Sequence, residues 1–413
     1  MERGPEASGG MNEFSDPRFR RKGSVKKGNP LKIDGKSAGV GGGERVTMNK
    51  SILLGLVLAM MVPAVALADG VSIDGDIRLR WDYGGAEGAT SNNTGANTNL
   101  NLGSTINENI SWSASVRHDM LFGAGGGAGN FDVQEAYVSI GDLGGAASFM
   151  GGWSMSVGRM NLPNQGSGRV INSDNWDLQA APNNADGYHM ASDMGGIGVD
   201  IYYYGGGGDP SGTGDNALGA SFDLGGMGGF ADIAIHYWSG SNATNDVSNL
   251  AVNLDNIGGD QLMGIDLDVE YATRDNDDGG DDGTLTSIGF SYGLGDMGMT
   301  LHVSNSVADA DWGGMTAAPH GTHGIADLFA DNDIDDTTIG LDFSPMDGVD
   351  ATLNFITLAE DSSGDDLGTE VDLLLTWACT DATSMEIGYA SFSSDADEGA
   401  DEDFFYLGTG WSF

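Results

Sequence analysis

The sequence predicts an all-β chain: one transmembrane antiparallel β-barrel of about 18 strands, with 16 as the runner-up count. Three observations carry this. Two-residue alternation of apolar and polar side chains recurs from Ile73 to Phe413. After residue 68 there is no apolar run of the roughly 18 residues that a membrane-spanning helix needs, so any bilayer passage must be made by strands. The connections alternate between short Gly- or Asp-containing turns and long polar loops, the layout of an outer-membrane barrel.

Taken in order, residues 1–47 are basic, Gly-rich and without period. They read as a disordered extension, expected to be a translation-start artefact. Met48-Asn49-Lys50 then opens an apolar run that ends in Ala66-Leu67-Ala68. A positive start, an apolar middle and an A-x-A ending make 48–68 a secretory signal peptide, leaving 69–413 as the barrel. The basic residues divide at this boundary. Of 17 Lys+Arg, all but Arg78, Arg80, Arg117, Arg159, Arg169 and Arg274 lie in residues 1–50. From Asp69 onward, 6 Arg face 55 acids, a net charge of −49. Such a field repels phosphate and excludes nucleic acid as a partner, while favouring cations. The single Cys379 excludes a disulfide framework within the chain.

The first mature strand shows which face is wet. From Ile73 to Tyr83 the odd positions are Ile, Gly, Ile, Leu, Trp and Tyr, and the even positions carry Asp74, Asp76, Arg78, Arg80 and Asp82. An Arg facing lipid costs about 2–4 kcal/mol at the bilayer midplane. The odd face therefore meets lipid and the even face a watery lumen. The same alternation recurs in rows such as Ile110/Trp112/Ala114/Val116, Trp153/Met155/Val157 and Ile265/Leu267/Val269/Tyr271, the last against Asp266, Asp268 and Glu270. Later rows include Val349/Ala351/Leu353/Phe355 and Val371/Leu373/Leu375/Trp377. The final strand places Phe405, Leu407, Trp411 and Phe413 on one parity, with Gly408, Gly410 and Ser412 on the other. A terminal strand left unpaired is a template for aggregation, so it is expected to close against the Ile73–Tyr83 strand. Its aromatic last residue resembles the ending of Gram-negative outer-membrane barrels. That resemblance implies recognition by the barrel-assembly machinery through Phe413.

Long polar loops fall at 84–96, 119–130, 160–185, 205–215, 239–247, 275–283, 305–334, 359–366 and 394–402. Nine such loops in an up-and-down meander imply about 18 strands, an even number. Three segments, 97–107, 186–193 and 248–256, carry weak patterns, and miscounting them gives 16.

One constellation stands apart. Gln134-Glu135-Ala136-Tyr137-Val138 is followed by Gly158-Arg159-Met160, then Gly168-Arg169-Val170-Ile171, Trp176 and Asp186-Gly187-Tyr188. Over residues 131–205 this resembles porins of the alginate-export type. The resemblance implies an 18-stranded barrel whose loop arginines, here Arg159 and Arg169, line an exopolysaccharide conduit. Physically, this is the third long loop, and folded into the lumen it would bring Arg159, Arg169, Asp174 and Asp177 near Arg78, Arg80 and Arg117. Opposed charges of this kind select small solutes by size and sign.

No Ser, His and Asp arrangement suggests catalysis, and no enzyme activity or cofactor is expected. Asp-dense loops such as 275–282 lack the spacing of a calcium loop and read as solvated acids; His320-Gly321-Thr322-His323 reads as loop. The leading expectation is a passive porin in the outer membrane of a Gram-negative-type bacterium, contacting outer-membrane lipid and passing small polar solutes with a cation preference. Its expected pore-lining residues are Arg78, Arg80, Arg117, Arg159, Arg169, Asp174, Asp177, Asp266, Asp268 and Glu270, and a homotrimer is the oligomeric expectation. The alternatives are the polysaccharide conduit, or a structural or surface-binding barrel whose acidic loops hold divalent cations.

Overall fold

The computed structural model describes residues 70–84, 93–122, 131–161, 163, 165, 168–169, 184–205, 216–226, 230–241, 246–258, 262, 264–276, 281–295, 298–314, 322–326, 328–395 and 401–413. The first described residue is Gly70, so the expected extension at 1–47 and the expected signal peptide at 48–68 lie outside this set. So do Asp174 and Asp177.

The described residues form eighteen strands. In chain order they are β1 (Val71–Gly84), β2 (Asn93–Asn107), β3 (Ile110–Phe122), β4 (Phe131–Ile140), β5 (Trp153–Asn161), β6 (Asn184–Asp193), β7 (Gly198–Gly205), β8 (Asn216–Gly226) and β9 (Asp232–Ser241). The second half is β10 (Asp246–Asp255), β11 (Ile265–Asn276), β12 (Gly283–Gly293), β13 (Met299–Ala308), β14 (Ile334–Met346), β15 (Val349–Ala359), β16 (Asp366–Thr380), β17 (Thr383–Ser394) and β18 (Glu402–Ser412). Each strand pairs with the next, and β18 returns to β1, so the sheet closes with no free edge.

The seam joins the two strands that sequence alternation matched. Ile77 lies opposite Trp411, Trp81 opposite Leu407 and Tyr83 opposite Phe405. It extends to the last residue: the Gly75 N–H donates to the Phe413 carbonyl at 3.1 Å, and the Phe413 N–H returns to the Gly75 carbonyl at 3.0 Å. The Phe413 ring covers Gly75, where a side chain would collide with it.

The runner-up count of 16 is overturned. The three weak segments are β2, β6 and β10. Their patterns are faint because polar or small residues dominate one or both faces. In β2, Leu100 and Leu102 share the outward face with Thr98, while Asn97, Asn99 and Asn101 face in. In β10, Leu250 and Val252 face out, and Asn249 and Asn253 are buried inside.

Outward parity carries the exposed apolar side chains: Ile73, Ile77, Leu79 and Trp81 on β1, Leu353 and Phe355 on β15, Val371 and Trp377 on β16. The connections at the β1–β2 end fall where the sequence reading put loops, and they run from the short 242–245 to 309–333; the turns at the opposite end include Asp347-Gly348 and Asp381-Ala382, although β4 and β5 are joined by the longer 141–152. The two halves of the interior differ. Toward the long loops, inward side chains are buried: Tyr204, Trp238, Ala272, Leu285, Ile334, Glu370 and Phe392. Toward the turns they are open to water, as at Asp74, Asp223, Asp232, Asp266 and Asp350.

Gly75→Val would overfill the seam beneath Phe413. The expected loss is about 1–3 kcal/mol, read as a lower denaturant midpoint of the heat-modifiable barrel; an unchanged midpoint would mean that the terminal ring does not contribute to closure.

Candidate functional site in the barrel interior

An 18-stranded ring is too wide for its own side chains to fill. Here long loops do part of the filling. Inward residues near the long-loop end form one apolar cluster that includes Met160, Tyr202, Tyr204, Trp238, Ala272, Leu285, Ile356 and Phe392. The β13–β14 connection adds Trp312, with Leu328 and Phe329 packed against the cluster. On the β6–β9 wall, rings stack in sequence. His189 lies 4.4 Å from Tyr202, Tyr202 5.2 Å from Trp238, and Trp238 6.1 Å from Tyr204. Gly219 leaves the space against which the Trp238 ring lies.

The β5–β6 connection also enters the lumen. Gln165 hydrogen-bonds Ser221 on β8 and accepts from the Trp238 indole N–H on β9. Four residues later, Arg169 donates to Ser306 on β13 and pairs with Asp331. Gln165 is thus held at β8 and β9, and Arg169 at β13. Asp331 gathers two further donors: the Trp312 indole at 3.3 Å and His323 at 3.2 Å. The other His323 nitrogen meets Asp336 of β14 at 3.0 Å. Just beyond, the Ile325 and Ala326 N–H groups donate to Asp372 and Glu370 of β16, each at 2.9 Å. Burial alone would push the His323 imidazolium down. Its hydrogen bonds to Asp331 and Asp336, with the Asp336 charge, outweigh burial and the opposing Arg169 charge, and hold it above its ordinary value. Burial would likewise raise Asp331, but His323 and Arg169 hold its carboxyl below the usual carboxylate range.

The described residues among the expected pore residues form two inward-facing groups, with Arg169 and Arg159 standing apart. Arg78, Arg80 and Arg117 face the interior of β1 and β3. Arg78 is open to lumen water, with 64% of its side chain exposed and Asp76 at 3.3 Å. Arg80 meets Asp82 at 2.5 Å and lies over the Tyr406 ring at 4.3 Å, and Arg117 is buried against Asp119 at 2.6 Å. Asp266, Asp268 and Glu270 face inward from β11, on the opposite side of the ring from β1. Asp232 and Asp255, cross-strand neighbours on β9 and β10, extend this acidic wall. Arg169 joins neither group, because it donates to Ser306 of β13 and is neutralised by Asp331 of the β13–β14 connection.

Arg159 does not line the interior. It shares the parity of the exposed Val157, and its partner Asp186, at 2.8 Å, shares that of the exposed Tyr188. This outer position lies at the long-loop rim, where a lipid-side Arg costs only about 0–1 kcal/mol. The expected meeting of Arg159 and Arg169 with Arg78, Arg80 and Arg117 is therefore not found.

Several interior residues escaped sequence reading. His189 meets Asp200 at 2.6 Å, and His302 lies between Asp342 at 3.2 Å and Asn354 at 3.0 Å. His323 and Asp331 were absorbed into an apparently irregular loop. The available signal was parity: His189 and His302 stand on the inward side of their strands.

No family model and no curated protein matches the chain. Solved structures do match in fold. Pseudomonas aeruginosa OpdK, solved with vanillate, superposes with a TM-score of 0.62 at 13% identity, covering 84% of this chain and 98% of its own. OprD from Pseudomonas aeruginosa, an outer membrane protein, gives 0.59 at 14% identity, covering 84% and 95%. Pseudomonas aeruginosa OccK2 (OpdF), solved in complex with glucuronate, gives 0.59 at 14% identity, covering 83% and 98%. The 18-strand antiparallel barrel is thus a fold shared with these proteins. The resemblance to the alginate-export type finds no support in these comparisons.

Trp238→Ala would leave a cavity in the apolar layer and strip Gln165 of a donor. Such a loss costs about 3–5 kcal/mol. Urea unfolding in liposomes should show it, while a shift below 1 kcal/mol would mean that the β5–β6 connection is not held by this ring.

Proposed function

We propose that the chain is a passive outer-membrane channel for small polar solutes, with a preference for cations, and not an enzyme. The single observation that carries this is the open half of the lumen, where Asp232, Asp255, Asp266 and Asp268 face water on one wall. Exposed like charges around a low-dielectric wall raise the local concentration of counter-ions and repel co-ions. The mixed wall of β1 does not offset them, since Asp74, Asp76 and Asp82 interleave with Arg78 and Arg80. The outward belt of apolar side chains, the signal peptide expected at 48–68 and the fold shared with OprD favour the outer membrane. OpdK and OccK2 were solved with vanillate and glucuronate, both carboxylates. An acidic wall disfavours that charge, so the solutes proposed here are neutral or cationic. The polysaccharide conduit is not favoured, because Arg159 faces outward and Arg169 is paired.

The test is a planar bilayer with a potassium chloride gradient. The expected reversal potential is that of a cation-selective pore, weakening at high salt. Changing Asp232, Asp255, Asp266 and Asp268 together to Asn should bring the cation-to-anion permeability ratio toward unity, by about two-fold or more. Absence of conductance would overturn the channel, and anion selectivity would overturn the cation preference.

A further inference from the structure

Asp331 accepts hydrogen bonds from three separate places: Arg169 of the β5–β6 connection, and Trp312 and His323 of its own connection. His323 is 2% exposed and stands between Asp331 and Asp336. The next residue, Gly324, lies against the Glu370 carboxylate, and the N–H groups of Ile325 and Ala326 bind Asp372 and Glu370. The charged groups around the imidazole are therefore Asp331 from its own connection, Asp336 from β14, Arg169 from the β5–β6 connection, and Glu370 with Asp372 from β16. Acids outnumber the one arginine. With both ring nitrogens aimed at carboxylates, the geometry needs the doubly protonated ring. A neutral imidazole has one N–H, and one buried carboxylate would then face a bare nitrogen.

We propose that His323 is a proton-operated latch that holds residues 322–326 and 328–333 inside the long-loop mouth and releases them as pH rises. The sign follows from the bonds. A histidine raised above its unfolded value stabilises the closed arrangement fully below that value, about 6.5. It loses this contribution as pH rises through the folded value. Asp331, held low, supplies its share above the ordinary Asp value of about 3.9 and loses it only as pH falls below that. The latch is therefore closed in mildly acid medium and opens as pH rises through the folded value of His323, which lies above its ordinary one. The consequence for permeation rests on the channel reading; the latch itself does not.

The test is amide hydrogen exchange of peptides covering 322–333, on the full barrel in liposomes from pH 6 to pH 9, corrected for intrinsic rates, with β16 as the internal reference. Protection of 322–333 should fall with pH, by about tenfold for each unit by which the closed form raises the histidine. His323→Gln and Asp336→Asn should show low protection with little pH dependence, in barrels that keep their heat-modifiable mobility. Protection that stays flat in the wild type from pH 6 to pH 9 would overturn the latch, whether or not the variants fold. So would wild-type protection in a folded His323→Gln. Conductance measured in parallel separates the two readings. Release without conductance at any pH supports the latch and overturns the channel, while conductance with flat protection does the reverse.

Discussion

Backbone hydrogen bonding is the constraint on which the rest depends. A sheet that meets lipid has no water to satisfy a free edge. The only remedy for a chain of strands is to return its last strand to its first, and β18 does this along β1. Closure then fixes parity everywhere. Once Arg78 and Arg80 are on the inner face, every residue in register with them is inner too, from Asn97 on β2 to Gly408 and Gly410 on β18. Closure also creates a void that wall side chains cannot span, and the loops that enter it make the site.

The interior works under two regimes. Near the turns, charges are wet, so an aspartate such as Asp268 acts through its field at a distance and is weakened by salt. Near the long loops, charges are dry. There Asp331 acts as a bond-maker, and its value lies in geometry, because a buried charge without its partner is destabilising by about 3–5 kcal/mol. The same residue type is a wet, long-range charge in one half and a buried bond-maker in the other, and burial alone decides which.

Much of this was legible in the residues. The alternation from Ile73 to Tyr83 identified the first strand, its wet face and its partner at Phe413. The nine loops gave the strand number, although the Asn-rich β2 and the short pattern of β10 blurred it. Alternation also held the correct reading of Arg159: extending Trp153, Met155 and Val157 by two residues puts it outside. Resemblance pointed the other way, and parity is the stronger physical statement. What was not legible is contact across the lumen. Nothing in the local sequence couples Arg169 to Asp331, because the two meet only after the ring has closed and both connections have turned inward. His323 is hidden for a different reason: its carboxylates, Asp331 and Asp336, are near in the chain, but the fold of an irregular connection, which carries no period, brings them to the ring.

The reach of Arg169 has a mechanical meaning. A closed sheet is stiff along its strands but yields easily to squeezing, because its cross-section can flatten into an ellipse without breaking a single ladder bond. Met160 stands on β5, Gln165 bonds β8 and β9, and Arg169 bonds Ser306 on β13. These bonds tie distant parts of the circumference to one another as a spoke does a rim. Flattening the tube along or across that line would strain a buried ion pair. The long-loop mouth is thus the end that holds its roundness, and the turn end, with no such tie among the described residues, is the end left free to breathe with the pressure of the surrounding bilayer.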